Sequence, residues 1–211
     1  ARLRLETEMS VPDAEAREHM AADITQVDAI IGKFLDYARP DTAALEKLPL
    51  AELVQAWVQP FAVHEDMRVE VNINPRYRVI GDEIELSRVL SNLLENARRY
   101  GRSPEDGITR VRIAATAHDG WVMLRVRDQG PGVPPEQLPL LTRPFFRGDT
   151  ARTSATGAGL GLSIVAKMIE NMGGSMQLAN NPSGGLMVLI HLRRAEGGES
   201  TSPGSVPSSG V

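Results

Sequence analysis

The chain has 211 residues, of which 42% are hydrophobic, 24% charged and 4% aromatic, so we expect one core built largely from Leu, Val and Ile, with room for a small second unit. Its formal net charge of -4 gives no reason to expect nucleic-acid binding, and the lack of cysteine excludes disulfides and thiolate metal sites. No apolar run approaches the roughly 18 residues that span a bilayer, and no signal peptide is recognisable.

Residues 1–39 predict a helical hairpin that begins in mid-pattern, as though its start were cut away. Residues 1–9 look like the end of a first helix, and a turn signal at 10–13 leads to a second helix over about 14–39. Apolar residues of the second helix alternate in spacing between four and three: Met20, Ile24, Val27, Ile31, Phe34 and Ala38. Such an a/d seam packs against another helix, so we expect this hairpin to join a bundle by dimerising.

A linker over 40–47 is expected to separate the hairpin from a larger domain over 48–195. This domain begins with an amphipathic helix over about 50–64, followed by strands at 69–73 and 77–80. The apolar face of the helix is predicted from spacing: Leu53, Ala56, Trp57 and Phe61.

Residues 86–101 predict a helix with two contrasting faces. Its buried stripe follows helical spacing: Leu86, Val89, Leu90, Leu93 and Ala97. The opposite ridge is polar: Asn92, Glu95, Asn96 and Arg99. Because Asn is a poor helix-interior residue and its amide oxygen suits Mg2+, Asn92 and Asn96 suggest a metal site, although a solvated helix face is the plainer interpretation.

The remaining pattern predicts a mixed or antiparallel sheet with helices on one face, a two-layer α+β sandwich. Asp119-Gly120 is a strong hairpin turn signal between two alternating strands. The predicted elements follow in order: strands 109–117 and 121–127, helix 162–172, strands 175–178 and 186–192, and a Gly-, Ser- and Pro-rich disordered tail over 196–211.

Two glycine-rich loops predict nucleotide binding. In Asp128-Gln129-Gly130-Pro131-Gly132-Val133-Pro134, a carboxylate at a strand end could accept from a purine amine, while the glycines admit a flat base; a plain turn is the alternative. Thr156-Gly157-Ala158-Gly159-Leu160-Gly161-Leu162-Ser163 opens a helix whose N-terminus favours phosphate, unless the loop is only a hinge. It matches neither a Walker A loop nor a dinucleotide fingerprint.

The segment between these loops lacks clear periodicity and contains Pro144-Phe145-Phe146-Arg147-Gly148-Asp149. Long ordered loops are usually functional, so this one is predicted to act as a lid over the nucleotide.

Four motifs in order, NLLENARRY, DQGPGVP, PFFRGD and GAGLGLSIV, resemble the N, first glycine, F and second glycine boxes of bacterial sensor histidine kinases. The resemblance covers about residues 1–195 and is greatest to the EnvZ-type kinases. It implies a Bergerat-type domain that binds ATP and Mg2+ and passes the γ-phosphate to a histidine.

Matching these boxes residue by residue implies that Asn92 and Asn96 hold the metal. No catalytic residue is assigned by the resemblance except, as a possibility, Arg147. The implied ATP-binding residues are Asn92, Asn96, Arg99, Tyr100, Asp128, Gly130, Gly132, Phe145, Phe146, Arg147, Gly157, Gly159, Leu160, Gly161 and Leu162.

The sequence departs from the family pattern at three places. None of the four histidines stands in the phosphoacceptor context His-Glu/Asp-x-x-x-Pro, so that histidine is expected upstream of Ala1. Arg99 replaces the more usual Lys of the first box, and Leu186 stands where many relatives have Thr.

The resemblance also implies partners: an OmpR-like response regulator, a second copy of the parent protein, and a membrane sensor region outside this chain. No nucleic-acid partner is expected. The parent would lie in the bacterial inner membrane, with this part in the cytoplasm.

Two other functions remain open from the sequence. The same fold occurs in water-using ATPases, which place a Glu one helical turn before the metal-binding Asn; here that position is Asn92, which cannot act as a base. The other alternative is a regulatory or degenerate nucleotide-binding module without kinase activity.

Overall fold

The computed structural model describes residues 14–38, 44–147 and 159–195. The helices are α1 (Ala14–Ala38), α2 (Leu50–Ala62), α3 (Glu83–Tyr100) and α4 (Gly161–Asn171), with a 3-10 helix at Pro135–Leu140. The strands are β1 (Glu46–Pro49), β2 (Met67–Asn72), β3 (Arg78–Gly81), β4 (Thr109–His118), β5 (Trp121–Asp128), β6 (Ser175–Asn180) and β7 (Leu186–Arg193).

Five strands form a mixed sheet in the order β2-β4-β5-β7-β6. Strand β2 runs parallel to β4, whereas the other neighbouring pairs are antiparallel. The helices α2, α3 and α4 contribute buried apolar residues to the same core as this sheet. This arrangement confirms the predicted two-layer α+β sandwich.

The β4–β5 hairpin forms as predicted, with His118 paired to Trp121 across the turn. Asp119 and Gly120 have φ values of 46° and 78°, the left-handed conformation that a two-residue hairpin turn requires. Alternate residues enter the core, including Val122, Leu124 and Val126 on β5. The same alternation points Asp128 inward, because it continues this series of positions.

Helix α3 is the central helix of the core. All five residues of its predicted stripe are buried, and Leu94, which the prediction left out, is fully buried as well. Asp82 caps the first turn, because its side chain accepts a hydrogen bond from the backbone N–H of Glu85. Helix α4 packs against α3, so the beginning of α4 lies beside the polar ridge of α3.

The structure confirms most of the predicted face of α2. Leu53, Trp57 and Phe61 are partly buried and pack against the core, whereas Ala56 is exposed. The most deeply buried residues of the helix are Leu50, Val54 and Val58, which the prediction left out. The predicted linker is also shorter than 40–47, since Glu46 and Lys47 pair with β3.

Helix α1 coincides with the predicted second helix of the hairpin. Met20, Val27 and Ile31, three residues of the predicted seam, are 44%, 52% and 50% exposed. The first helix of the hairpin and the tail after residue 195 lie outside the described residues. In the part of the chain that the structure describes, no helix combines the length and the apolar character needed to cross a membrane.

Candidate functional site

A cavity of about 330 Å3 opens between α3, the loop after β5 and the beginning of α4. Its walls are formed by Leu93, Asn96, Ala97, Arg99, Tyr100, Val126, Asp128, Pro131, Gly132, Val133, Pro134, Gln137, Leu141, Phe146, Arg147, Gly159, Leu160, Gly161, Leu162, Leu186 and Val188. This volume and mostly apolar wall, with a few convergent polar groups, are typical of a small-ligand site.

Asp128 is the buried carboxylate of the cavity and is only 9% exposed. Its Oδ1 accepts hydrogen bonds from the backbone N–H of Gly130, at 2.9 Å, and of Leu186, at 3.1 Å. Burial raises the pKa of the Asp128 carboxyl, because desolvation disfavours the charged form, and the two N–H groups partly offset this effect. Leu186 stands where many relatives have Thr, so it lacks a polar side chain, but its backbone N–H supplies a polar contact to Asp128.

Three glycines let the backbone approach Asp128 closely. A Cβ on Gly101 would lie 2.8 Å from Cβ of Asp128, and one on Gly130 would lie 2.5 Å from Cα of Gly101. A Cβ on Gly185 would also overlap the Asp128 carbonyl oxygen. Larger residues at these positions would force the three segments apart, so the glycines are required by packing around the carboxylate.

The end of α3 brings two predicted residues to the cavity. The guanidinium carbon of Arg99 lies 6.0 Å from the ring centroid of Tyr100, and both side chains contribute to the cavity wall. The flanking Arg98 and Arg102 bond to the carboxylate of Asp66 at 3.2 and 2.8 Å. These two ion pairs tie the last turn of α3 to the segment that leads into β2.

The two asparagines of α3 converge on the first residue of α4. A Cβ on Gly161 would lie 3.3 Å from Oδ1 of Asn96 and 3.6 Å from Oδ1 of Asn92. The amide nitrogen of Asn92 donates to the Arg88 carbonyl at 2.9 Å, which fixes the orientation of its amide. Two amide oxygens at a helix N-terminus fit Mg2+, which prefers oxygen donors and keeps ligand phosphates in its shell.

No group of three or more His, Cys, Asp or Glu residues that could hold a metal occurs in the described ranges.

Helix α4 begins at the cavity without a side-chain cap on its N-cap residue, Leu160. Its first backbone N–H groups and the helix dipole favour an anion at this end. Gly159, with φ of 69°, accepts a hydrogen bond from the N–H of Phe145 at 3.0 Å. This bond closes the base of the intervening segment, whose residues 148–158 lie outside the described ranges.

Most predicted site residues lie on this single cavity: Asn96, Arg99, Tyr100, Asp128, Gly132, Phe146, Arg147, Gly159, Leu160, Gly161 and Leu162. Asn92 and Gly130 lie beside the wall and contact residues that form it. Phe145 is 62% exposed, has a left-handed φ of 64° and is not part of the wall. Gly157 falls outside the described residues.

Sequence reasoning missed the wall that follows Asp128. The loop residues Pro131, Val133 and Pro134, together with Gln137 and Leu141 around the 3-10 helix, complete the cavity. The proline-rich stretch Val133-Pro134-Pro135 was the available signal, since Pro is favoured at the first position of a helix.

Comparisons with known proteins identify the family. The sequence profile of the histidine kinase-, DNA gyrase B-, and HSP90-like ATPases matches residues 81–196, more than half of the chain. The chain therefore belongs to this ATPase family, which confirms the predicted ATP-binding domain.

Curated relatives include the signal transduction histidine-protein kinase/phosphatase MprB of Mycolicibacterium vanbaalenii, 33% identical over 82% of this chain and 35% of the relative. Another is the histidine-protein kinase AfsQ2 of Streptomyces coelicolor, 29% identical over 81% of this chain and 29% of the relative. The chain thus spans about a third of the length of such relatives. These similarities confirm the resemblance to sensor histidine kinases.

Solved structures agree with this assignment. A mycobacterial sensor histidine kinase MprB has a TM-score of 0.62 and 32% identity, covering 71% of this chain and 98% of that structure. The full-length ShkA structure in complex with AMPPNP has a TM-score of 0.68 at 23% identity, covers 92% of this chain and 43% of that chain, and supports the fold alone.

Replacing Asp128 with Asn is expected to change how stability depends on pH. Because the folded chain raises the pKa of Asp128, the folded state binds this proton more tightly, and wild-type stability falls as pH rises through the raised pKa. Asn keeps an Oδ1 acceptor and does not ionise, so the melting temperature of Asp128→Asn relative to wild type should increase as pH rises above the ordinary Asp pKa of about 3.9. If the difference in melting temperature between Asp128→Asn and wild type did not change with pH, the raised pKa of Asp128 would be contradicted.

Asp106→Asn is the matched control, with the opposite sign. A side-chain hydrogen bond from Arg110 lowers the pKa of Asp106 to about 2. The stability that this carboxylate contributes is present above its unfolded pKa and is lost as pH falls through about 2. Asp106→Asn should therefore be less stable than wild type at pH 7, and this deficit should shrink in acid.

Proposed function

We propose that this chain is the kinase portion of a two-component sensor histidine kinase, which binds ATP with Mg2+ and transfers its γ-phosphate to a histidine. The observation that carries the proposal is that one cavity is lined by a buried carboxylate, Asp128, and by the free N-terminus of α4. A purine and a phosphate chain need these two different environments within one site.

The Asp128 region is proposed to bind adenine. Among the described residues, both hydrogen bonds from other residues to this carboxylate end on Oδ1, which leaves Oδ2 to accept from the exocyclic amine of adenine. The apolar side chains of Leu93, Val126 and Val188 line the same cavity and suit the faces of a flat base. Guanine, which has a carbonyl oxygen at the corresponding position, would meet the carboxylate with repulsion.

The phosphates are proposed to lie at the beginning of α4. Arg99 and Arg147 line the cavity there and would offset phosphate charge, while Asn92 and Asn96 would hold Mg2+. When bound, Mg2+ would neutralise charge on the transferring phosphoryl group, and the protein would contribute mainly positioning.

The proposed acceptor of the phosphoryl group is a histidine that lies outside the 211 residues of this chain. None of its histidines, His19, His64, His118 and His191, stands in the phosphoacceptor context. Asn92 occupies the place of the base in water-using relatives, and its amide is bonded to its own helix, which supports transfer to an incoming nucleophile over hydrolysis.

Wider roles follow from the same proposal. The phosphoryl group would pass from the histidine to an aspartate of a response regulator, with an OmpR-like regulator as the specific candidate. The exposure of the seam residues Met20, Val27 and Ile31 supports homodimerisation of the parent through its helical hairpin. We place this hairpin at residues 1–39, ahead of the ATP-binding domain at 48–195. A sensor region elsewhere in the parent would anchor it in the inner membrane, with this part in the cytoplasm.

Asn96→Ala should weaken ATP binding about tenfold or more in the presence of Mg2+, because it removes one of two proposed metal ligands. Titration calorimetry with Mg2+ and with EDTA measures this directly, since the variant and wild type should bind alike without the metal. Asn72→Ala, which removes an exposed amide on β2, is the control and should retain the Mg2+ dependence. If Mg2+ strengthened ATP binding by Asn96→Ala as much as it does for wild type, Asn96 would not be a metal ligand.

Incubation with radiolabelled ATP and a separate polypeptide carrying an intact phosphoacceptor hairpin tests the kinase activity. Label should appear on the histidine of the hairpin and not on the chain itself. Label on the chain would contradict the absence of an acceptor within it. A chain that binds ATP but leaves the hairpin unlabelled would favour the regulatory, non-kinase alternative.

A further inference from the structure

Asn180, the last residue of β6, makes a two-point contact with the loop that follows Asp128. We propose that it is a positioning residue that holds this loop as one wall of the nucleotide site, an inference that rests on the proposed function. Asn180 is half-buried and does not line the cavity, so it would act through the residues that do.

The contact joins the side-chain amide of Asn180 to the peptide groups of Val133. Oδ1 of Asn180 accepts from the N–H of Val133 at 3.0 Å, and Nδ2 of Asn180 donates to the Val133 carbonyl at 2.5 Å. Only one orientation of the amide satisfies both bonds, because the backbone of Val133 offers one donor and one acceptor. The side chain thereby imitates the pairing of a neighbouring strand.

The location of Asn180 explains why a side chain is needed for this contact. Strand β6 is an edge of the sheet and pairs along its length only with β7 among the described strands. The loop at 131–134 crosses the end of this edge as irregular backbone, so it lacks a regular ladder of its own. The amide of Asn180 links the two and satisfies backbone groups that would otherwise need water.

The contact also fixes the conformation of Gly132. This residue has φ of 76°, and a Cβ on it would lie 3.0 Å from Oδ1 of Asn180. The loop therefore passes so close to Asn180 that a side chain at residue 132 would crowd it.

The cavity wall includes the whole of this loop: Pro131, Gly132, Val133 and Pro134. Pro134 directly precedes the 3-10 helix that carries Gln137, another residue of the wall. Loss of the contact would release this whole wall.

The test compares Asn180→Asp and Asn180→Leu with wild type by titration with ATP and GTP. Asp keeps an acceptor for the Val133 N–H but sets a carboxylate oxygen against the Val133 carbonyl, and Leu removes both bonds. Each variant should bind ATP about tenfold more weakly, with reduced preference over GTP, because the adenine wall is no longer fixed. Amide hydrogen exchange at Val133 should accelerate in Asn180→Leu.

Gln177→Glu is the matched control, since it makes the same amide-to-carboxylate change on an exposed position of the same strand. It should bind ATP within about twofold of wild type. Lowering the pH should narrow the gap between Asn180→Asp and wild type, because the protonated carboxyl regains a donor for the Val133 carbonyl. A purely structural role would lower the melting temperature of the variants and leave their ATP affinity and selectivity equal to those of wild type at every pH.

The outcomes separate the two proposals. If wild type binds ATP and either folded Asn180 variant binds it equally well with unchanged selectivity, the positioning role is overturned. If wild type itself fails to bind ATP, the proposed function fails and this inference fails with it. If Asn180→Leu does not fold, the isosteric Asn180→Asp and its pH dependence decide the matter.

Discussion

The burial of the Asp128 carboxylate is the constraint on which the rest of the site depends. Removing a carboxylate from water is costly unless hydrogen bonds replace its hydration. Here the backbone N–H groups of Gly130, in the loop after β5, and of Leu186, the first residue of β7, provide them. Because β5 pairs with β7, the end of β5 already lies beside the beginning of β7, and the Asp128 side chain adds the loop to this junction. The end of α3 also packs against the Asp128 side chain, because Gly101 has no side chain of its own to block this contact.

Helix α3 connects this carboxylate with the proposed metal and phosphate region at the beginning of α4. Its apolar face is buried in the core, and this packing fixes the position of its polar ridge. Asn92 and Asn96 then meet Gly161 at the start of α4, while the ion pairs of Asp66 hold the turn that carries Arg99. The same helix thus contributes both to the core and to the geometry of the site.

Local patterns account for the parts of the molecule that the sequence predicted. The stripe of α3 and the Asp119-Gly120 hairpin depend on periodicity and turn chemistry, and Asp128 was visible because a carboxylate beside glycines at a strand end is distinctive. The predicted face of α2 was incomplete, because a second apolar stripe, Leu50, Val54 and Val58, lies beside it and is the more deeply buried of the two. The roles of Gly101 and Asn180 depend on contacts with distant segments, so spacing along the chain carried no signal for them.

A crystal structure of the chain with Mg2+ and a non-hydrolysable ATP analogue would show directly whether this cavity binds ATP as proposed. The adenine amino nitrogen should lie about 3 Å from Oδ2 of Asp128, with the phosphates at the N-terminus of α4. The two backbone hydrogen bonds to Oδ1 should persist in the complex. Adenine bound away from Asp128, or phosphates bound away from α4, would overturn the proposed ATP site.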